Sequence, residues 1–101
     1  MATRTGLGVD DLLKDRREDI LRLARKHGAY NVRVFGSVAR GEARSDSDID
    51  FLVDGLEYCA WGGGGLLMEL QELLGRRVDL VSPGDLHRLL RDRILKEAVP
   101  L

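Results

Sequence analysis

The sequence has few of the residues that build disulfides or soft-metal sites. Of its 101 residues, Cys59 is the only cysteine, and His27 and His87 are the only histidines. An internal disulfide is therefore excluded, and neither histidine has a partner at the spacing of a metal site. A lone thiol without a visible activating partner predicts an inert Cys59 and favours a reducing, cytoplasmic location.

Long apolar runs and an excess of one charge are also missing. No stretch approaches the roughly 20 apolar residues of a membrane span, and the first eight residues show no apolar signal core. The chain has 16 basic and 17 acidic residues and a net charge of −1, which gives no general attraction to nucleic acid or to an anionic membrane. Its length and its 44% apolar composition predict one globular domain, residues 1–101.

What the chain does contain is a regular succession of amphipathic segments. Apolar residues recur at helical spacing in some segments and alternate with polar residues in others. The predicted helices cover residues 9–27, 66–74 and 86–99, and the predicted strands cover 31–35, 48–53 and 77–81. We expect Asp85 to cap the last helix and Pro100 to lie beyond its end. The order α-β-turn-β-α-β-α predicts an α+β fold with one small sheet covered by helices on one side.

A turn of small residues, Gly36-Ser37, follows the first strand. Glycine lets the backbone approach a phosphate, and Ser37 can donate from both its hydroxyl and its N–H. Arg40 is a further candidate for phosphate binding, although an ion pair with Glu42 or simple exposure explains it equally well. The sequence G-x-x-x-x-G-K-[ST] is absent, which excludes a P-loop NTPase.

Two aspartates, Asp48 and Asp50, begin the second strand, ten residues after the turn. Because side chains alternate along a strand, both should point to one face, about 6.5–7 Å apart. Paired carboxylates repel each other unless a cation lies between them. Carboxylate oxygens without nearby histidine or cysteine favour Mg²⁺ or Mn²⁺, which usually also bind substrate phosphate. The pair therefore predicts metal ligands beside a nucleoside triphosphate.

A third carboxylate, Asp79, interrupts the apolar strand Val78-Asp-Leu-Val81. A charge buried alone there would be costly, whereas a metal shared with Asp48 and Asp50 would compensate it. Asp79 is thus expected to help hold a second ion and to act as base toward an attacking hydroxyl, as in two-metal displacement. Its alternative is an ordinary charge on an edge strand.

The acidic segment also has other interpretations. An Asp-x-Asp pair is often only a solvated loop or a helix cap. An EF-hand would place Asp46, Asp48 and Asp50 at positions 1, 3 and 5 of its loop and Glu57 at position 12. That loop needs glycine at position 6, where this chain has Phe51, and the run from residue 49 to 53 favours a strand.

The complete pattern Gly36-Ser37-x10-Asp48-x-Asp50, followed by Asp79, resembles the nucleotidyltransferase superfamily of polymerase β type. More narrowly, the chain is similar to the minimal nucleotidyltransferases, the MNT or MntA-like antitoxins, over nearly its whole length. The resemblance implies a mixed sheet with flanking helices and transfer of AMP from ATP with Mg²⁺. It also implies a HEPN-domain toxin as partner, which is inactivated when a tyrosine is adenylylated.

By motif position, the resemblance makes Asp48, Asp50 and Asp79 the metal ligands and Gly36 and Ser37 the phosphate cradle. Larger relatives carry a helical domain for the acceptor, which this chain lacks, and this fits an acceptor on another polypeptide. Two alternatives stay open: a module that neutralises a toxin by contact alone, and a subunit that modifies a small molecule together with a separate helical chain. A homo-oligomer is also compatible with the sequence, and the glycine-rich segment 61–65 is an unusually loose loop for the family.

Overall fold

A computed structural model describes residues 6–101 as a four-stranded mixed sheet with helices packed against it. The strands are β1 (Tyr30–Phe35), β2 (Ile49–Asp54), β3 (Val78–Val81) and β4 (Val99–Pro100), in the order β3-β2-β1-β4. β1 is antiparallel to β2 and β4, whereas β2 and β3 are parallel. The fold is α+β, and the three expected strands are confirmed with shifts of about one residue at their ends.

The hydrophobic core lies on one face of the sheet. Alternation along β2 turns Ile49, Phe51 and Val53 toward this core, where each is almost fully buried. Two helices cover this face and contact each other, α2 (Arg17–His27) and α4 (Gly64–Leu74). The opposite face receives the intervening residues, half-buried Asp50 and fully buried Leu52.

The first predicted helix, residues 9–27, is wrong as a single element. The structure has α1 (Val9–Leu12), a 3-10 turn (Lys14–Arg16) and then α2. Leu13 lies at the break with φ −121° and is fully buried. The charged run that follows has no apolar residue to bury, so one helical face could not carry both Leu13 and the apolar residues of α2 into the core.

The C-terminal segment also differs from the prediction. The last helix, α5 (Arg88–Glu97), is shorter than expected and is capped by the side chain of His87, which accepts from Leu89 N–H at 3.2 Å. Asp85 instead belongs to a 3-10 turn (Pro83–Asp85). Pro100 lies beyond the end of this helix, as expected, and it forms part of β4, where an edge position tolerates a residue without N–H.

Two further connections complete the fold. The segment between β2 and α4, which includes the glycine-rich residues 61–65, contains two 3-10 turns, Leu56–Tyr58 and Ala60–Gly63, before α4 begins at Gly64. The short helix α3 (Gly36–Arg40) follows β1 directly. Within residues 6–101, every helix is too short or too polar to cross a lipid bilayer.

Candidate functional site

The turn after β1 is built around a glycine in a left-handed conformation. Gly36 has φ +76° and opens α3. A Cβ atom at this position would overlap a carboxylate oxygen of Asp50. Glycine is therefore required both by the backbone conformation and by the closeness of Asp50. The turn and the carboxylate of Asp50 are therefore packed against each other.

The sheet register brings two of the three predicted carboxylates side by side. Asp50 of β2 pairs with Asp79 of β3 and, on its other side, with Phe35 at the end of β1. Neighbouring strands are about 4.8 Å apart, so the two aspartates share one face of the sheet next to the turn. The pairing in register is the arrangement expected from the sequence.

Asp48 and Asp79 are both exposed, in contrast to half-buried Asp50. Asp48 precedes β2 and lies 3.7 Å from the exposed guanidinium of Arg77. β3 is an edge strand and leaves the Asp79 side chain open to solvent, so the cost of burying a lone charge does not arise. The pairing with Asp50, and not a burial cost, is what connects Asp79 to the site.

Asp50 is the electrostatic centre of this group. Burial raises its pKa, the negative charges of Asp79 and Asp48 raise it further, and Arg40 opposes them, so that the pKa is about 6. The negative charge of Glu97 also raises this pKa, so several like charges act on Asp50. A bound cation would lower this pKa, and the cluster therefore favours cation binding.

Arg40 and a residue that sequence reasoning missed, Glu97, complete the surroundings of the turn. The Arg40 guanidinium lies 3.0 Å from Glu42 and 2.7 Å from Glu97. Glu97 also accepts a hydrogen bond of 2.7 Å from the N–H of Gly36. Nothing local in the sequence marks Glu97, because it reaches the turn through the pairing of β4 with β1, and a two-residue strand has too little alternation to be recognised.

Comparison with known proteins agrees with this geometry. Residues 16–101 match the nucleotidyltransferase domain family. The chain belongs to this family. It is 37% identical over 100 residues to the protein adenylyltransferase MntA of Thermococcus cleftensis, and the alignment covers 98% of each chain.

Solved structures give the same result for the fold. A candidate minimal nucleotidyltransferase superposes with a TM-score of 0.77 at 48% identity, covering 94% of this chain and 97% of that one. A chain of a toxin-antitoxin crystal structure with AMP-PNP matches with a TM-score of 0.69 at 24% identity, covering 84% of this chain and 71% of that one. The fold and the nucleotidyltransferase activity expected from the resemblance are confirmed.

The donor groups of this nucleotidyltransferase domain fit Mg²⁺ better than a softer metal. Within residues 6–101, no three side chains of His, Cys, Asp or Glu are already close enough to enclose an ion. Mg²⁺ does not require such an enclosure, since it usually takes one or two carboxylates and fills its remaining positions with water and substrate phosphate. Asp50, together with Asp79 or Asp48, would supply these carboxylates.

The other singled-out residues lie outside this site. The thiol of Cys59 is buried and donates to the carbonyl oxygen of His27 at 2.9 Å, and burial raises its pKa, as expected for an inert cysteine. The ring of His27 bonds to Glu69 at 2.8 Å and links α2 to α4. The EF-hand alternative is wrong, because Asp50 lies within β2 and Glu57 lies in a 3-10 turn beyond the far end of that strand.

Proposed function

We propose that this nucleotidyltransferase transfers AMP from ATP, with Mg²⁺, to a hydroxyl group on a partner protein. The observation that carries the proposal is the position of Asp50, which packs against the Gly36 turn and pairs in register with Asp79. A triphosphate at the turn would thus have carboxylates beside it. The same residues appeared as an ordered pattern in the sequence.

The reaction divides among the residues as follows. Ser37 and the backbone at the start of α3 bind phosphate oxygens, and Asp48, Asp50 and Asp79 are the ligands for Mg²⁺. When bound, Mg²⁺ neutralises the phosphates and stabilises the leaving oxygen. The acceptor oxygen bonds to the α-phosphorus, the bond from the α-phosphorus to the bridging oxygen breaks, and pyrophosphate leaves. Exposed Asp79 takes the acceptor's proton.

The proposed acceptor is a tyrosine of a HEPN-domain toxin, with this chain as the antitoxin. Three observations support it: the resemblance to MntA-like antitoxins, the name protein adenylyltransferase of a relative that matches 98% of the chain, and the shared fold with a toxin-antitoxin chain. The exposed position of Asp79 suits a large acceptor, because another protein can approach it from solvent. Cytoplasmic location is part of the same proposal.

The decisive experiment mixes the protein with ATP, Mg²⁺ and a candidate HEPN-domain partner, and then measures the intact mass of that partner. The wild type should add one or more AMP units to the partner. Asp48→Asn/Asp50→Asn should add none, because transfer depends on charge stabilisation. Asp15→Asn/Asp85→Asn removes the same charge from two exposed residues outside the site and should transfer as wild type does.

Two outcomes would favour the alternatives. If Asp48→Asn/Asp50→Asn adds no AMP but still protects cells from the toxin, the protein neutralises its partner by contact. If the wild type leaves every partner tyrosine unmodified but adenylylates a small hydroxyl compound when a separate helical chain is present, the acceptor is a small molecule.

A further inference from the structure

One carboxylate of the C-terminal helix holds both ends of α3, and the proposed reaction does not use it. Glu97 is the last residue of α5, and its side chain is only 14% exposed. One carboxylate oxygen accepts from the N–H of Gly36 at 2.7 Å, and the other accepts from Nη1 of Arg40 at 2.7 Å. Gly36 and Arg40 are the first and the last residue of α3.

The position of Glu97 follows from the strand that comes after it. Val99 pairs with Val34 and Pro100 with Arg33. This pairing holds the end of α5, two residues before β4, against α3. The end of the chain is fixed as well, because Leu101 N–H donates to the carbonyl of Val32 at 3.0 Å. Glu97 is therefore held against the turn by β4 and is not a helix end that meets it by chance.

The charge of Glu97 is maintained by the groups that it binds. Burial raises its pKa, but the hydrogen bonds from Arg40 and from Gly36 N–H outweigh burial and leave the pKa below its ordinary value. Both oxygens thus bear charge and have donors. A group bound in this way stabilises the turn, whereas a loosely bound carboxylate would be displaced by a phosphate.

We infer that Glu97 is a positioning residue of the nucleotide site: it fixes Gly36 and Arg40 so that Ser37 is presented to the triphosphate and Gly36 stays packed against Asp50. Two consequences distinguish this role from that of a plug, by which we mean a carboxylate that occupies the place of a phosphate and must leave before the nucleotide binds. Arg40 pairs with Glu97 and does not bind the nucleotide directly. Removal of Glu97 weakens nucleotide binding, whereas removal of a plug would strengthen it. The nucleotide part of this inference rests on the proposed function.

The test compares wild type, Glu97→Ala and Glu97→Gln by amide hydrogen exchange at Gly36 and by calorimetric titration with MgATP. In Glu97→Ala, Gly36 should lose its protection from exchange, and MgATP should bind roughly tenfold more weakly, since a hydrogen bond to a charged group is lost. Glu97→Gln keeps one acceptor for Gly36 N–H and should recover part of both effects. The control is Glu72→Ala, at an exposed glutamate of α4, which should match wild type.

Each result decides the matter. Equal or tighter MgATP binding by Glu97→Ala and Glu97→Gln would overturn the inference and make Glu97 a competitor of phosphate or irrelevant to it. If the wild type itself binds no nucleotide, the proposed function fails, and amide exchange at Gly36 alone tests the positioning role. Unchanged protection of Gly36 in both variants would overturn that role. Loss of protection in Glu97→Ala that is partly recovered in Glu97→Gln would support it.

Discussion

Gly36 is the residue at which backbone conformation and site geometry are most tightly connected. Its positive φ disfavours any side chain, and the carboxylate of Asp50 occupies the space that a Cβ would need. Ser37 and Arg40 can be replaced without this double conflict. Substitution of Gly36 should therefore disturb the turn more than substitution of Ser37 or Arg40, because it adds a steric conflict to any chemical change.

Gly36→Ala should destabilise the protein by about 1–3 kcal/mol through backbone strain and should also displace Asp50. Urea unfolding measures the first effect, and titration with MgATP measures the second. Gly75→Ala is the matched control, because Gly75 has φ +62° and no atom within 4 Å of an added Cβ. It should show strain but unchanged nucleotide affinity; equal affinities for the two variants would contradict the packing of Asp50 against the turn.

Asp50 makes the stability of the metal-free protein depend on pH. Burial and the charges of Asp79 and Asp48 raise its pKa to about 6, so the folded protein holds this proton more tightly than the unfolded chain does. This contribution to stability is complete below about pH 4, the ordinary range of an aspartate, and is lost as the pH rises through about 6.

Asp50→Asn should therefore be more stable than wild type in EDTA at about pH 8, by about 1–2 kcal/mol after allowance for the solvent exposure of this side chain. Near pH 4 the two proteins should differ little, since Asp50 is then protonated. Urea unfolding at both pH values measures this, with Asp15→Asn as the control. A stability difference that does not change between the two pH values would show that carboxylate repulsion is not its source.

At the scale of elements, the sequence predicts a helix or strand best where its apolar pattern ends at a glycine or at charged residues. β1 alternates clearly, β2 and β3 are short apolar runs interrupted by aspartate, and all three are bounded by glycine or by polar residues, near which the turn and its carboxylates lie. The break at Leu13 depends on what the core accepts, and β4 depends on β1, more than sixty residues away in the sequence. Glu97 was missed for the same reason.

The packing of α4 on the sheet gives a prediction for an element. Leu70 is 2% exposed and belongs to the core, whereas Met68 on the same helix is 69% exposed. Leu70→Ala should cost about 2–5 kcal/mol of unfolding free energy because it leaves a cavity, and Met68→Ala should change stability by about 0.5 kcal/mol or less. Chemical denaturation of both variants measures the difference, and similar losses would mean that α4 packs through another face.

At the scale of the whole molecule, the core and the candidate site lie on opposite faces of the sheet. The core holds α2 and α4, while Asp50 and Asp79 face away from it. Charges at the site can therefore be changed without opening the core. This separation explains why Asp48→Asn/Asp50→Asn should stay folded and is a fair test of chemistry.

A cavity of about 540 Å³ lies away from the candidate site. It lies near the ends of β2 and β3 that are remote from Asp50, between Asp54, Leu80 and Asp85. At the candidate site Asp48 and Asp79 are exposed, and among residues 6–101 no three side chains of His, Cys, Asp or Glu enclose an ion by themselves. A metal would therefore bind there together with the triphosphate.

The central claim is that ATP binds at the carboxylate cluster through a divalent cation, and calorimetric titration tests it most directly. ATP should bind the wild type at least about tenfold more tightly with Mg²⁺ than in EDTA, a difference of about 1.4 kcal/mol or more. Asp48→Asn/Asp50→Asn should lose this dependence, while Asp15→Asn/Asp85→Asn should retain it. Equal ATP affinity for the wild type with and without Mg²⁺ would contradict the account.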